Sequence, residues 1–147
     1  MALLTVKYLK SDQKIAVPEK QTHGSGACDI KAHLKEPLTI SAGQRAAVST
    51  GISVEIPAGY ILSVRPRSGL AINHGITMIN SPGTIDSDFR GEIKILLINL
   101  GSQPYTIQNG ERIAQLILEK SIEFEWLESD QLNQTKRGEN GFGSTGR

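Results

Sequence analysis

Cysteine is nearly missing: Cys28 is the only one in 147 residues. One thiol cannot form an internal disulfide and lacks the partners of a zinc site, and its isolation fits a reducing compartment. Long hydrophobic runs are missing too. No stretch approaches the roughly 20 apolar residues of a membrane-spanning helix. The apolar opening Met1 to Val6 is too short for a signal-peptide core before Lys7 interrupts it. Net charge is close to nil, with 16 Lys+Arg against 15 Asp+Glu for a balance of +1. Such a surface offers no broad field for nucleic acid or a membrane, so any anion must be held by a local cluster. Sustained helical periodicity and repeats of solenoid length are likewise absent. These exclusions leave a soluble, cytoplasmic chain with no nucleic-acid or membrane partner.

What is present is short and regular. The length suits one domain with a real core, and glycine (15) and proline (6) punctuate short apolar runs. Ala47 to Ile56 reads as a strand, Pro57-Ala-Gly59 as a turn and Tyr60 to Val64 as the next strand. Ile76 to Ile79 is a further apolar strand. Ile93 to Ile98 reads as a buried β-branched strand, and Arg112 to Glu119 as one more. Only Ser68 to His74 invites a helical turn. Evenly spaced strands between turn signals predict an all-β sandwich or barrel. Composition changes at Glu128, so residues 1–127 are expected to form the β domain and 128–147 a polar, Gly-rich tail. That tail cannot offset its ordering entropy alone. It is either a frayed end or a lid, with Gly hinges, Arg137, hydroxyls and the ring of Phe142.

Four further segments have chemical content. Gly26-Ala-Cys-Asp29 sets a carboxylate just after a Gly-rich stretch, which locally reads as an Asx-type turn. In Arg65-Pro-Arg67-Ser68-Gly69-Leu-Ala71, proline ends a strand, and Arg67 and Ser68 fall at a strand-to-helix junction. Free N–H groups there favour phosphate, and arginine adds a forked, permanently charged donor; a surface Arg beside a capping Ser is the plainer alternative. Asn80-Ser-Pro-Gly83-Thr-Ile-Asp86-Ser-Asp88-Phe89-Arg-Gly91 lies between two apolar strands and reads as a hairpin with a long irregular tip. Such tips commonly carry function. Asp86 is its candidate general base, whereas Asp88 reads as a solvated turn residue. Asn109-Gly110-Glu-Arg-Ile-Ala-Gln115 opens a strand after an Asn-Gly turn. Alternation sets Gln115 on the face of Ile113, where an amide needs a partner.

Taken in order, these five segments closely resemble the signature motifs of the trimeric dUTPase family, over residues 26–146. The most specific stretches are Arg67-Ser68-Gly69-Leu-Ala, Gly83-Thr-Ile-Asp86 with Arg90-Gly91-Glu92, Gly110-Glu-Arg-Ile-Ala-Gln115, and Gly141-Phe-Gly-Ser-Thr-Gly146. The resemblance implies a jelly-roll-like β subunit of the β-clip type, a homotrimer with strand or tail exchange, and active sites built from more than one chain. It implies dUTP as substrate, Mg²⁺ (Mg2+) on the triphosphate, and hydrolysis to dUMP and diphosphate by water attack on the α-phosphate. That reaction keeps uracil out of DNA and supplies dUMP for thymidylate synthesis.

By the same resemblance, Asp86 activates the water, and Arg67, Ser68, Gly69 and Gln115 hold the phosphates. The hairpin from Asn80 to about Lys94 forms the uracil slot, with Gly83, Thr84, Ile85 and Lys94 lining it through their backbone. Phe89 stands where the family usually has tyrosine and packs under the deoxyribose. Arg137, Phe142, Gly143, Ser144 and Thr145 close the site from a neighbour, Phe142 on the uracil. Asp29 either contacts the metal through water or braces the site.

Two rivals are weighed. A dCTP deaminase shares the fold, but where that family has a catalytic glutamate this chain has Leu96. A non-catalytic nucleotide-binding regulator would be expected to have lost Asp86 or the tail, and both are present.

Overall fold

The computed structural model describes residues 4–141. In chain order the elements are β1 (Lys7–Lys10), β2 (Cys28–Lys31), β3 (Leu38–Ile40), β4 (Arg45–Glu55), β5 (Tyr60–Arg65), α1 (Ser68–His74), β6 (Ile76–Met78), β7 (Gly83–Ile85), β8 (Glu92–Asn99), β9 (Tyr105–Ile107) and β10 (Arg112–Lys120). One four-stranded sheet has the order β1-β4-β8-β6, a second the order β2-β10-β5-β7, and β3 and β9 form a separate ribbon. Every pairing is antiparallel. The fold is all-β, as expected. No helix among the described residues is long and apolar enough to cross a membrane.

The sequence pattern explains where the core lies. In β8 burial alternates: Ile93, Ile95, Leu97 and Asn99 point inward while Lys94 and Leu96 point out. The strand expected to be buried is therefore buried on one face only, because an antiparallel sheet covered on one side obeys a period of two. Val48, Ile52 and Val54 of β4, Ile30 of β2, Leu62 and Val64 of β5, and Ala114 and Leu116 of β10 join these residues in a single apolar cluster between the sheets. Most of its largest fully buried members are isoleucine, which suits a pleated surface, and each contributes about 1.5–3 kcal/mol by leaving water. Asn99 is fully buried yet satisfied. Its amide donates to the carbonyls of Ile40 and Gln103 and its oxygen accepts from the Gly101 N–H, tying the ribbon to the first sheet.

Between β5 and β8 the chain changes sheets three times. Helix α1 carries it from β5 to β6 and buries Leu70. It ends at Gly75, whose φ of 69° and close approach to Gly101 (2.4 Å from a built Cβ to the Gly101 N) admit no side chain. β6 pairs with β8 as the expected hairpin. Its tip, however, is not wholly irregular: β7 leaves the first sheet and pairs with β5 of the second. After β10 the described chain forms no further strand or helix, and residues 121–140 are exposed. Regular structure thus ends before the composition change at Glu128.

Candidate functional site

Asp29 sits inside β2, a strand residue and not the turn residue its local sequence suggested. It is 4 % exposed. A buried carboxylate needs compensating charge and hydrogen bonds, and three side chains supply them. Arg112 Nη1 donates to Asp29 Oδ2 at 3.0 Å, Gln115 Nε2 donates to Oδ1 at 3.2 Å, and Arg67 Nε lies 3.5 Å from Oδ1. Arg67 also donates through Nη1 to the Arg112 carbonyl at 3.1 Å.

A β-bulge makes this cluster possible. Arg112 pairs with Lys31, but Ala114 pairs with Ile30 and Gln115 with Asp29, leaving Ile113 as the extra residue. In a regular strand Arg112 and Gln115, three apart, would face opposite sides. The extra residue resets the parity, so both meet Asp29. Ile113, 1 % exposed, drops into the core, and Gln115 shares a face with Arg112 instead of the apolar face that plain alternation gave it. Arg112 is the residue that sequence reading missed as a site member, since a bulge leaves no periodic signal.

Arg67 is the N-cap of α1, in extended conformation (φ −93°, ψ 128°) with no side-chain cap. Ser68 is therefore the first helical residue and not the cap. Ser68 and Gly69 are exposed, in the turn whose N–H groups lack intrahelical partners. Behind the cluster the Tyr105 hydroxyl donates to Glu111 Oε1, and Glu111 Oε2 accepts from the Gln108 N–H at 3.0 Å. Burial, then the neighbouring Glu111, pushes the Tyr105 phenol up to about 12. On the same sheet Glu119 is held below the usual carboxylate range, first by the Ser63 hydroxyl that donates to it at 2.6 Å and also by Arg65.

The second group of sequence-identified residues lies on the β7 loop. Gly83, Thr84 and Ile85 form β7 itself, Asn80 precedes it, and Lys94 is an exposed residue of β8 opposite Ser49. Asp86 emerges, exposed, where β7 ends. The Phe89 N–H donates to the Asp86 carbonyl at 3.2 Å, closing a tight turn. Glu92 anchors the return strand by accepting the Gly51 N–H at 2.8 Å.

The two groups do not meet within one chain. Leu62 of β5 pairs with Ile85 of β7, so Asp86 leaves at the Tyr60 end of β5 while Arg67 follows its Arg65 end. At about 3.3 Å per extended residue the intervening stretch separates Asp86 from Arg67 by on the order of 20 Å. Arg137 is exposed, in a turn where its Nε donates to the Asn140 carbonyl at 2.7 Å. Phe142, Gly143, Ser144 and Thr145 lie outside the described residues.

A family model described as dUTPase matches residues 13–146. The chain belongs to the dUTPase family. Among its relatives, the deoxyuridine 5'-triphosphate nucleotidohydrolase of Fusobacterium nucleatum subsp. nucleatum is 47% identical over 147 residues, covering 100% of both chains. That of Treponema denticola is 48% identical over 139 residues, 95% of this chain and 96% of the other. In fold the chain is similar to the Staphylococcus bacteriophage 80alpha dUTPase with dUPNHPP, with a TM-score of 0.87 at 23% identity over 97% of this chain and 99% of that one. It is also similar to a mutant dUTPase from phage phi11 of S. aureus that coordinates a structural Mg(II) ion, with a TM-score of 0.77 at 19% identity over 86% and 97%. The Asp29 cluster and the Asp86 turn thus lie at opposite ends of β5 in a single chain.

Proposed function

We propose that this protein is a dUTP diphosphatase that cleaves dUTP to dUMP and diphosphate at sites shared between the subunits of a homotrimer. The observation that carries the reading is the pair of separated halves. Asp86 is an exposed carboxylate on a fastened turn, and Arg67, Arg112 and Gln115 are donors organised by Asp29. Neither half alone can hydrolyse a triphosphate. Joined across a subunit boundary they supply a base for water and donors for the phosphates.

In that joined site Asp86 orients and deprotonates the water that attacks the α-phosphorus, and diphosphate leaves. Such a base contributes about 10²–10⁴ in rate. Arg67, Ser68, Gly69 and Gln115 hold the phosphate chain, and Arg112 keeps Arg67 aimed. Fixed donors of this kind stabilise charge without reorganising. The β7 loop, with Asn80, Gly83, Thr84 and Ile85, and Lys94 of the neighbouring β8 receive uracil by its edge, and Phe89 supports the deoxyribose. Hydrogen-bonded readout of this kind discriminates by roughly 10⁴ or more. Arg137 and the stretch Phe142 to Thr145 act as the lid from a neighbouring chain, which makes residues 128–147 a functional tail.

Mg²⁺ completes the site on the substrate. No group of three His, Cys, Asp or Glu that could hold a metal occurs among the described residues, which fits an ion that keeps its waters and leans on phosphate oxygens. Bound there, it offsets charge on the triphosphate. Asp29 already has both oxygens engaged by Arg112, Gln115 and Arg67, so its role is to brace the donors, with any metal contact made through water.

Self-association has its own support. Leu96 and Ile79 are 37% and 46% exposed and line an open apolar groove of about 270 Å³ with Ala46, Ala47 and Leu97. This exposed apolar surface supports reading the face as an interface. Past β10, Ile122, Phe124 and Trp126 alternate with Glu123 and Glu125 and are largely exposed. That is a strand pattern without a sheet, suited to exchange onto a neighbour. The outward position of Leu96 also leaves no acidic group where a deaminase would need one. A cytoplasmic location is part of this reading.

Purified protein mixed with dUTP and Mg²⁺ should release diphosphate, while dCTP, dTTP and UTP should be poor substrates. Tight dUTP binding without turnover would instead favour a regulator.

A further inference from the structure

Phe89, the proposed support for the sugar, needs something to hold its ring. Phe89 is 43% exposed, so the core does not fix it. The ring instead lies over Gly91: a Cβ built there would come 2.5 Å from Phe89 Cζ, 3.0 Å from Cε2 and 3.3 Å from Cε1. Contacts that short force something to move.

The backbone around the ring is poorly free to yield. The Phe89 N–H is bonded to the Asp86 carbonyl at 3.2 Å. The Arg90 guanidinium folds back through Nη1 onto the carbonyls of Ser87 at 2.6 Å and Phe89 at 3.0 Å. On the far side Glu92 is tethered to the Gly51 N–H at 2.8 Å. Gly91 is not among the glycines with positive φ, so its backbone does not itself require glycine. What requires glycine is the ring.

We propose that Gly91 is a positioning residue for sugar selection: its bare Cα is the seat of the Phe89 ring, and the Arg90 clamp keeps that seat beside Asp86. A side chain at this position displaces the ring while leaving the Asp86 turn fastened. Space then opens where a ribose 2′-hydroxyl would sit, and the deoxyribose loses its support. The inference rests on the dUTPase reading and names a determinant within it.

The test is steady-state kinetics of the full-length protein with dUTP and UTP. Gly91→Ala should raise KM for dUTP several-fold more than it lowers kcat. It should also cut the dUTP-over-UTP preference in kcat/KM by about tenfold, the scale of a small steric change in a pocket. Phe89→Ala should lose the preference at least as far, and the double variant should be no worse than Phe89→Ala alone, because without the ring the seat has no task. Thermal unfolding within a few degrees of the parent keeps a folding defect from imitating the result. A folded Gly91→Ala protein with the parent's preference, alongside a Phe89→Ala protein that has lost it, would overturn the proposal and leave the sugar role standing. A Phe89→Ala protein with unchanged preference would overturn both. A parent that does not turn over dUTP would refute the dUTPase reading and this inference with it.

Discussion

The two ends of the β2-β10-β5-β7 sheet solve opposite problems. At one end Asp29 is buried and neutralised by two guanidiniums and an amide, and the cluster is rigid because each member satisfies another. At the other end Asp86 is exposed, its turn is closed by the Phe89 N–H on the Asp86 carbonyl, and among the described residues it forms no ion pair. The difference teaches that one end is organised by electrostatics inside the chain, whereas the carboxylate at the other is open to solvent, as the proposed base for water requires. On the order of 20 Å of β-strand lies between them, so the shared-site reading makes assembly itself a catalytic requirement.

The sharpest way to break this comparison is to disable each end in a different chain. Asp86→Asn should bind dUTP but lose about 10²–10⁴ in kcat, and Arg67→Ala should be similarly poor. Unfolded together and refolded as mixed trimers, the two defective proteins should regain activity at about one site in four, the statistical share of boundaries with both intact partners. A mixture as dead as its components would mean that each chain carries its own complete site.

Removing the tail comes next in size. Deletion of residues 137–147 should leave the oligomer intact by light scattering and reduce kcat/KM by on the order of 10²-fold, the scale of lost positioning. Full activity in the truncated protein would reduce this segment to a frayed end.

Asp29→Asn probes the donor end. It removes the charge that holds Arg67 and Arg112 while nearly preserving volume. Breaking a buried pair costs about 3–5 kcal/mol; the Arg112 side chain is 42% exposed, so solvent screening brings the expected loss to about 2–3 kcal/mol. The denaturant midpoint should fall and KM for dUTP should rise. An unchanged midpoint would show that the two arginines do not depend on Asp29.

How much of this was readable beforehand follows from element length and parity. β4, β5, β8, β10 and α1 were legible because each spans enough residues for a pattern to repeat. β6, with three residues, was legible only as the compact apolar run Ile76 to Ile79; β3, β7 and β9 have three residues and β1 and β2 have four, too few to set a period against surrounding turns. Their pairing is decided by distant partners such as Leu62 for Ile85. Asp29, Arg67, Gln115 and Asp86 were legible as residues because their neighbours form recognisable motifs. That Arg112 joins them was not, because the bulge at Ile113 inverts the alternation by which faces are assigned. Nor could sequence show that Asp86 points away from the others, which depends on β7 crossing between sheets.

The smallest effect concerns the brace behind the donor end, where Tyr105 and Glu111 support the turn that delivers Arg112. The phenol is raised from 10.0 to about 12 by burial first and by Glu111 second. A folded-state pKa above the unfolded one stabilises the protein fully below about pH 10, and that stability is lost as pH rises through about 12. Tyr105→Phe removes the hydroxyl while keeping the ring, which packs at a tilt against His74 with a centroid distance of 4.7 Å. Near neutral pH the variant should lose about 1.5–3 kcal/mol, the worth of one hydrogen bond to a charged group. Between pH 10 and 12 the parent should weaken at a rate the variant does not share through this group, so their unfolding free energies should converge. A gap that stays constant across that window would show that the phenol proton is not what stiffens the turn, leaving the Glu111 bond to the Gln108 N–H as the support for Arg112.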